Sequence, residues 1–181
     1  VRYRVPNKNQ CKECHSTNDV ISPIGPKAWN LDKDLNYGDG SKNQLAYLLQ
    51  KGVIDSIPTN FQTISDWEDE SQSLEDRSRA YLAINCGHCH TPSGVANSTG
   101  LYLDFNEVRP LHLGINKSPV ATGRGSGNLN YSIVPGKAHE SILLFRMIST
   151  DPGVMMPESG RSLVHVEASN LIKEWINSME N

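Results

Sequence analysis

Cys86-Gly87-His88-Cys89-His90, near the middle of the chain, and Cys11-Lys12-Glu13-Cys14-His15, near its start, repeat one C-x-x-C-H pattern and together use all four cysteines. The spacing reads as a c-type haem attachment site. Two thiols three residues apart stand one turn apart on a helix, where each can add to one vinyl group of a porphyrin. The His that follows then lies under the macrocycle and gives its imidazole to iron. On this reading Cys11, Cys14, Cys86 and Cys89 hold two haem groups by thioether bonds, and His15 and His90 are the proximal iron ligands. Three other readings compete. Structural zinc pairs two C-x-x-C units across about 15–20 residues, whereas residues 15–85 intervene here. Cys86-Gly87-His88-Cys89 also matches a disulfide oxidoreductase, but no Trp precedes it and no strand pattern feeds it. Ordinary disulfides within each pair leave both histidines unexplained.

Composition narrows the rest. The chain has 181 residues, enough for one ordinary domain or two small ones; 37% are hydrophobic and 20% charged, with a net charge of −3. That balance speaks against a disordered polyelectrolyte and against a nucleic-acid binder, which needs a basic face. No apolar run approaches the roughly 20 residues of a membrane span. With Val1 first, the sequence is read as a processed protein or an excised domain.

Outward from the motifs, the pattern is short helices between long loops. Ser41-Lys42-Asn43-Gln44 reads as a capping box opening a helix with Leu45, Leu48 and Leu49, closed by Gly52. Residues 66–76 carry six acids and no base before Arg77; they read as a solvated connector, with an acidic docking patch as the alternative. A helix is predicted from about Ser73, with Leu74, Tyr81 and Ile84 on one side, leading into Cys86. Residues 91–137 are loop-rich, and Gly123-Arg124-Gly125-Ser126-Gly127 reads as a flexible loop because no strand or G-K-[ST] flanks it. Residues 141–148 read as a helix. The last helix is the clearest: Ala168, Leu171, Ile172, Trp175, Ile176 and Met179 fall at 3.6-residue spacing. No strand alternation stands out. Residues 31–40 resemble the front of a calcium loop but have Tyr37 where Gly belongs and Asn43 where Glu belongs, so they read as a polar turn.

Arg79-Ala80-Tyr81-Leu82-Ala83-Ile84-Asn85-Cys86, Met156-Pro157 and residues 166–179 resemble the N-terminal helix, distal-ligand loop and C-terminal helix of class I cytochromes c. The resemblance covers about residues 74–181. Ile133-Val134-Pro135-Gly136-Lys137, Ser141-Ile142-Leu143 and Asp151-Pro152-Gly153-Val154-Met155-Met156-Pro157 are similar to bacterial di-haem c-type cytochrome domains. Such domains occur in large periplasmic or secreted proteins, some with carbohydrate-binding modules. The resemblance implies a mainly α fold of two cytochrome-c-like halves, residues 1–70 and 71–181, the second class I-like. It also implies that the first and last helices of the second half cross, with Ala80 and Tyr81 near Trp175. Met156 would be the distal ligand of the second haem, and a soft neutral thioether raises the potential; Met155 is its rival.

The first half departs from the pattern. Pro6 stands shortly before Cys11, so an entry helix is read as missing or as lying upstream, and Ile57-Pro58 stands where a Met-Pro is expected. Its distal position is either open or filled by His112, His139, His165, Met155, a Lys or the chain terminus. His88, next to Cys89, is expected to point away from iron. Arg124 and Arg146 are candidates to offset propionate charge. The function this implies is electron transfer between a redox donor and an acceptor, the resemblance adding a secreted oxidoreductase acting on polysaccharide as a partner. A peroxidase-like di-haem enzyme, or a sensor with an open first haem, is the alternative. The expected location is the bacterial periplasm or cell exterior, and the negative balance favours partners with basic docking faces.

Overall fold

Ser73 opens the helix that delivers the chain to Cys86: its hydroxyl accepts from the Asp76 amide at 3.0 Å, and Glu75 and Asp76 fill the first turn, where negative charge meets the positive end of the helix dipole. The structure, a computed structural model, describes residues 5–18 and 20–180. Its elements in chain order are α1 (Lys8–Cys14), β1 (Ser16–Thr17), β2 (Val20–Ile21), α2 (Ala28–Leu31), β3 (Asp34–Asn36), β4 (Ser41–Asn43), α3 (Gln44–Gln50), α4 (Leu74–Asn85), α5 (Pro110–Leu113), α6 (Ile142–Ile148) and α7 (Val166–Ser178). Helix and loop dominate. The expected absence of strands is corrected by two small antiparallel hairpins, β1 with β2 and β3 with β4. At two or three residues each, they are too short to show alternation.

The described chain divides into two compact units, and not at residue 70. The residues up to Pro23 belong with those from Asp66 onward, and Ile24–Ser65 forms a unit of its own. The first motif therefore shares a unit with the second, because α1 buries nothing by itself and finds its partners beyond residue 66.

The core of the larger unit is α4 against α7. Tyr81, Leu82, Ala168, Leu171, Ile172, Trp175 and Ile176 pack together, joined by Leu103, Ile133 and Leu144. Every α7 position expected on the apolar stripe is buried except Met179, which packs partly buried against the cluster. Ala80 is fully buried, whereas Ile84, expected beside Tyr81, is 43% exposed near the C-terminal end of α4. The Tyr81 hydroxyl lies 3.1 Å from His165 Nδ1, and Trp67 packs edge-on to both rings. Through Trp67, whose carbonyl accepts from Arg77 Nε at 2.9 Å, and through Leu74, the acidic stretch is packed against the core. The glycine run has defined local structure. Gly123–Ser126 forms a 3-10 turn, and Gly127 holds φ +59 with the Phe145 ring where a side chain would stand.

In the smaller unit, β3 and β4 place Asp32 beside Asn43 and Thr63, which both donate to its carboxylate (2.8 and 2.5 Å). Asp39 pairs with Lys42. Tyr37 stacks on Tyr47 at 3.8 Å, and Leu45 is buried. Of residues 31–40, read as one polar turn, only 37–40 form the β3–β4 turn; Leu31 ends α2 and Asp34–Asn36 is β3. The capping box does not stand: Ser41 is spent in the hairpin, and the N-cap of α3 is Asn43, whose side chain accepts from the Ala46 amide.

Candidate functional site

Helix α4 ends at Cys86, whose amide still bonds to the Leu82 carbonyl (2.8 Å), and the chain then coils tightly: the Cys89 and His90 amides both bond back to the Cys86 carbonyl. The coil requires Gly87. A Cβ there would press on the Ala83 carbonyl at 2.7 Å and the Leu103 carbonyl at 3.1 Å. The His90 carbonyl accepts from the Leu103 amide at 2.9 Å, and the Tyr102 amide bonds to the His112 carbonyl at 2.8 Å. The segment that braces the second motif is thus fastened on both sides.

On the far side of that brace one carboxylate gathers basic partners. Glu107, with a nearly buried side chain, takes Arg109 in a bidentate pair (2.8 and 2.6 Å) and faces His112 Nδ1 at 3.2 Å. Arg79 donates to the Phe105 and Glu107 carbonyls. The Arg109 hydrogen bonds, with help from His112, hold the Glu107 carboxyl down at about 2. Because the folded value lies below the ordinary Glu value, this pairing stabilises the fold above pH of about 4.3 and is lost as pH falls toward 2. A Glu107→Gln chain should therefore lose about 1–2 kcal/mol at neutral pH, and the difference from the parent should shrink to about a quarter of that at pH 2.5, still above the folded value of about 2. Urea titrations at pH 7 and pH 2.5 check both limbs.

A cavity of about 510 Å³ opens beside the second motif, within the roughly 300–1,000 Å³ range of cofactor pockets. Cys86, Cys89, His90, Leu143, Met147 and Met156 are among its walls, and Cys14 reaches it from α1. Burial pushes the Cys86 and Cys89 thiols up to about 12, and raises Cys14 as well. These are neutral, apolar sulfurs. Burial also lowers the His90 imidazole, with Arg146 and His88 adding to it against the Leu101 carbonyl. His90 Nδ1 is buried with no hydrogen-bond partner, an expensive position for a ring nitrogen. A neutral imidazole and a thioether on the wall of one apolar cavity, beside two thiols, form a donor set that fits a tethered haem.

The loop carrying Met156 is held from several sides. Met156 donates its amide to the Arg146 carbonyl (3.1 Å), and Arg146 Nε donates to the Val154 carbonyl (2.8 Å). Arg161 Nη2 spans the Arg146 and Ser149 carbonyls at 3.1 and 2.6 Å, and Arg161 Nη1 reaches the Leu163 carbonyl. The Met156–Pro157 peptide is cis. Of the rival methionines, Met156 lines the cavity and Met155 is buried at 7% exposure outside its wall. Of the two arginines expected near a propionate, Arg146 lines the cavity, reaching Glu158 at 3.4 Å, and Arg124 pairs with Asp151 at 2.8 Å. Arg161 is a residue that sequence reasoning missed; only the bonds of the folded loop reveal its role.

The first motif rides on α1, a two-turn helix capped by Asn7 and Gln10. No separate entry helix stands between Pro6 and Cys11; the helix carries the motif itself. Cys11 and His15 are exposed. Cys14 is not: its Sγ, Cys89 Sγ and a ring nitrogen of His88 lie within 4.8 Å of one another. Ser159 Oγ donates to Glu13 at 2.9 Å, and the Asn18 amide reaches the Ser93 carbonyl at 3.4 Å. The two motifs thus meet through their second cysteines, and His88, given no role from sequence, stands at the junction. Residues 15–87 separate it from Cys14, so no local signal could have placed it there. The distal candidates for the first motif have partners of their own. His112 faces Glu107, His165 faces Tyr81, and His139 stands at the surface 3.6 Å from Glu140. The chain terminus lies outside the described residues. No helix among the described residues is long and apolar enough to cross a membrane. Compared with family models, with curated proteins and with solved structures, the chain matches none.

Proposed function

We propose that this chain is a di-haem c-type electron-transfer domain. Cys11 and Cys14 would anchor one haem and Cys86 and Cys89 the other, with His15 and His90 as proximal ligands and Met156 as the distal ligand of the second. One observation carries the reading: all four cysteines belong to C-x-x-C-H motifs, and those motifs meet in one unit beside a cavity that His90 and Met156 share. Bound haem would supply one-electron redox chemistry. The chain's own residues hold, shield and tune it: Leu143 and Met147 keep the cavity wall apolar, and Arg146 and Arg161 fix the Met156 loop. Val20 and Ile21, side by side after the first motif, are 66% and 63% exposed, an apolar surface that a haem on His15 would cover.

The class I-like second half, the periplasmic or secreted location, and the redox donor and acceptor, including a polysaccharide-active oxidoreductase, are parts of the same proposal. So is the higher potential of the second haem. The engagement of His112 with Glu107 and of His165 with Tyr81 favours one second reading, in which the first haem keeps an open face and binds peroxide or a diatomic ligand.

Matured in a bacterium that attaches haem c, the chain should gain the mass of two haems and give a pyridine haemochrome spectrum of the thioether type. A colourless product, or one with four free thiols, would sink the proposal. Carbon monoxide added to the reduced protein separates its two forms: no rapid binding supports pure electron transfer, and binding at one haem supports the second reading.

A further inference from the structure

The meeting of the two motifs has a chemistry of its own before any haem is attached. Cys14 Sγ, Cys89 Sγ and a His88 ring nitrogen, all within 4.8 Å of one another, come from α1 and from the coil after α4. Two thiolates bound tetrahedrally at about 2.3 Å stand roughly 3.8 Å apart, and an imidazole joins at about 2.0–2.1 Å. A closure of about 1 Å or less would therefore bring the three atoms to coordination distance. Two sulfurs and one imidazole are a donor set that prefers zinc and similar soft divalent ions over magnesium or calcium. The Glu13 carbonyl, 3.9 Å from Cys89 Sγ, covers that sulfur from the α1 side. Helix α1 is tied down by the Glu13–Ser159 and Asn18–Ser93 bonds, so Cys14 is presented to its partners rather than left on a free arm.

We infer that the haem-free chain binds one zinc-like ion at Cys14, His88 and Cys89, a site that draws one sulfur from each motif instead of two from either. A second consequence rests on the haem reading: since thioether formation adds each S–H across a vinyl double bond, an ion on Cys14 and Cys89 withholds one thiol from each motif. A single metal would then oppose maturation at both.

Cobalt(II), a spectroscopic stand-in for zinc, tests the site in the full chain made without haem attachment and kept reduced under argon. One ion per chain is expected, with sulfur-to-cobalt charge-transfer absorption and tetrahedral ligand-field bands. Cys14→Ser, Cys89→Ser and His88→Ala should each weaken binding about tenfold or more, whereas Cys11→Ser and Cys86→Ser should leave it within about twofold. Far-UV circular dichroism confirms that each variant keeps its helices; if Cys14→Ser does not, His88→Ala against Cys11→Ser carries the comparison. Two cobalt ions per chain, or equal losses in Cys11→Ser and Cys14→Ser, would mean that each C-x-x-C pair binds alone and would overturn the inference. The haem content of the matured protein is a separate readout, so the site and the proposed function can fail independently.

Discussion

With Met156 replaced by Ala, the haem-loaded protein will lose the weak long-wavelength band that marks a thioether on ferric iron, and its higher reduction potential will fall by about 0.1 V or more. The size follows from the roughly 0.8 V that axial ligation spans across haem proteins. A thioether is soft and neutral and favours the ferrous state; water or hydroxide in its place does not. The loop itself should survive the change. It is fastened through the Met156 amide to Arg146 and through Arg161 to Arg146 and Ser149, none of which involves the Met side chain. Met155→Ala is the control, since Met155 is buried and off the cavity wall: it should keep the band and lose stability. A band that persists in Met156→Ala, or disappears in a folded Met155→Ala, would reassign the ligand.

The second large effect belongs to the core. Trp175 is 4% exposed and packs where α7 crosses α4, in the cluster of Tyr81, Leu82 and Ile172. Trp175→Ala should cost about 3–5 kcal/mol, a large part of the roughly 5–15 kcal/mol that holds a domain together. For a chain of this size that is a drop of about 10 °C in Tm, read by urea titration and thermal melting of the full chain. A loss under about 1 kcal/mol would show that the α4–α7 crossing is not the main source of stability. The position of Cys86 depends on the same crossing, because the cysteine is the C-cap of α4.

What could be read from the sequence was what short-range chemistry decides. Ser73 announces α4 because a hydroxyl that can take an amide three residues on, with Glu75 and Asp76 in the first turn, is the local chemistry of a helix start. The α7 stripe announces its buried face because its period matches the helix over about three turns. The readings that failed did so where a distant partner overrides a local pattern. Ser41 has the look of a cap, but pairing with Asn36 takes it into a hairpin and leaves the task to Asn43. The glycine run reads as a flexible loop, yet it takes a 3-10 turn with the Phe145 ring against Gly127. At the site, each motif was legible as a unit, and Met156 was legible as a Met in a Pro- and Gly-bounded loop. The juxtaposition of Cys14, His88 and Cys89 was not, since it depends on α1 docking against residues that lie beyond an entire separate unit.

That separate unit also sets a timetable. A ribosome adding roughly 5–20 residues per second delivers Cys14 about 4–15 s before Cys89, and Ile24–Ser65 is spelled out in between. For that interval the opening sulfur pair waits alone, without the neighbours that later shelter one of its members.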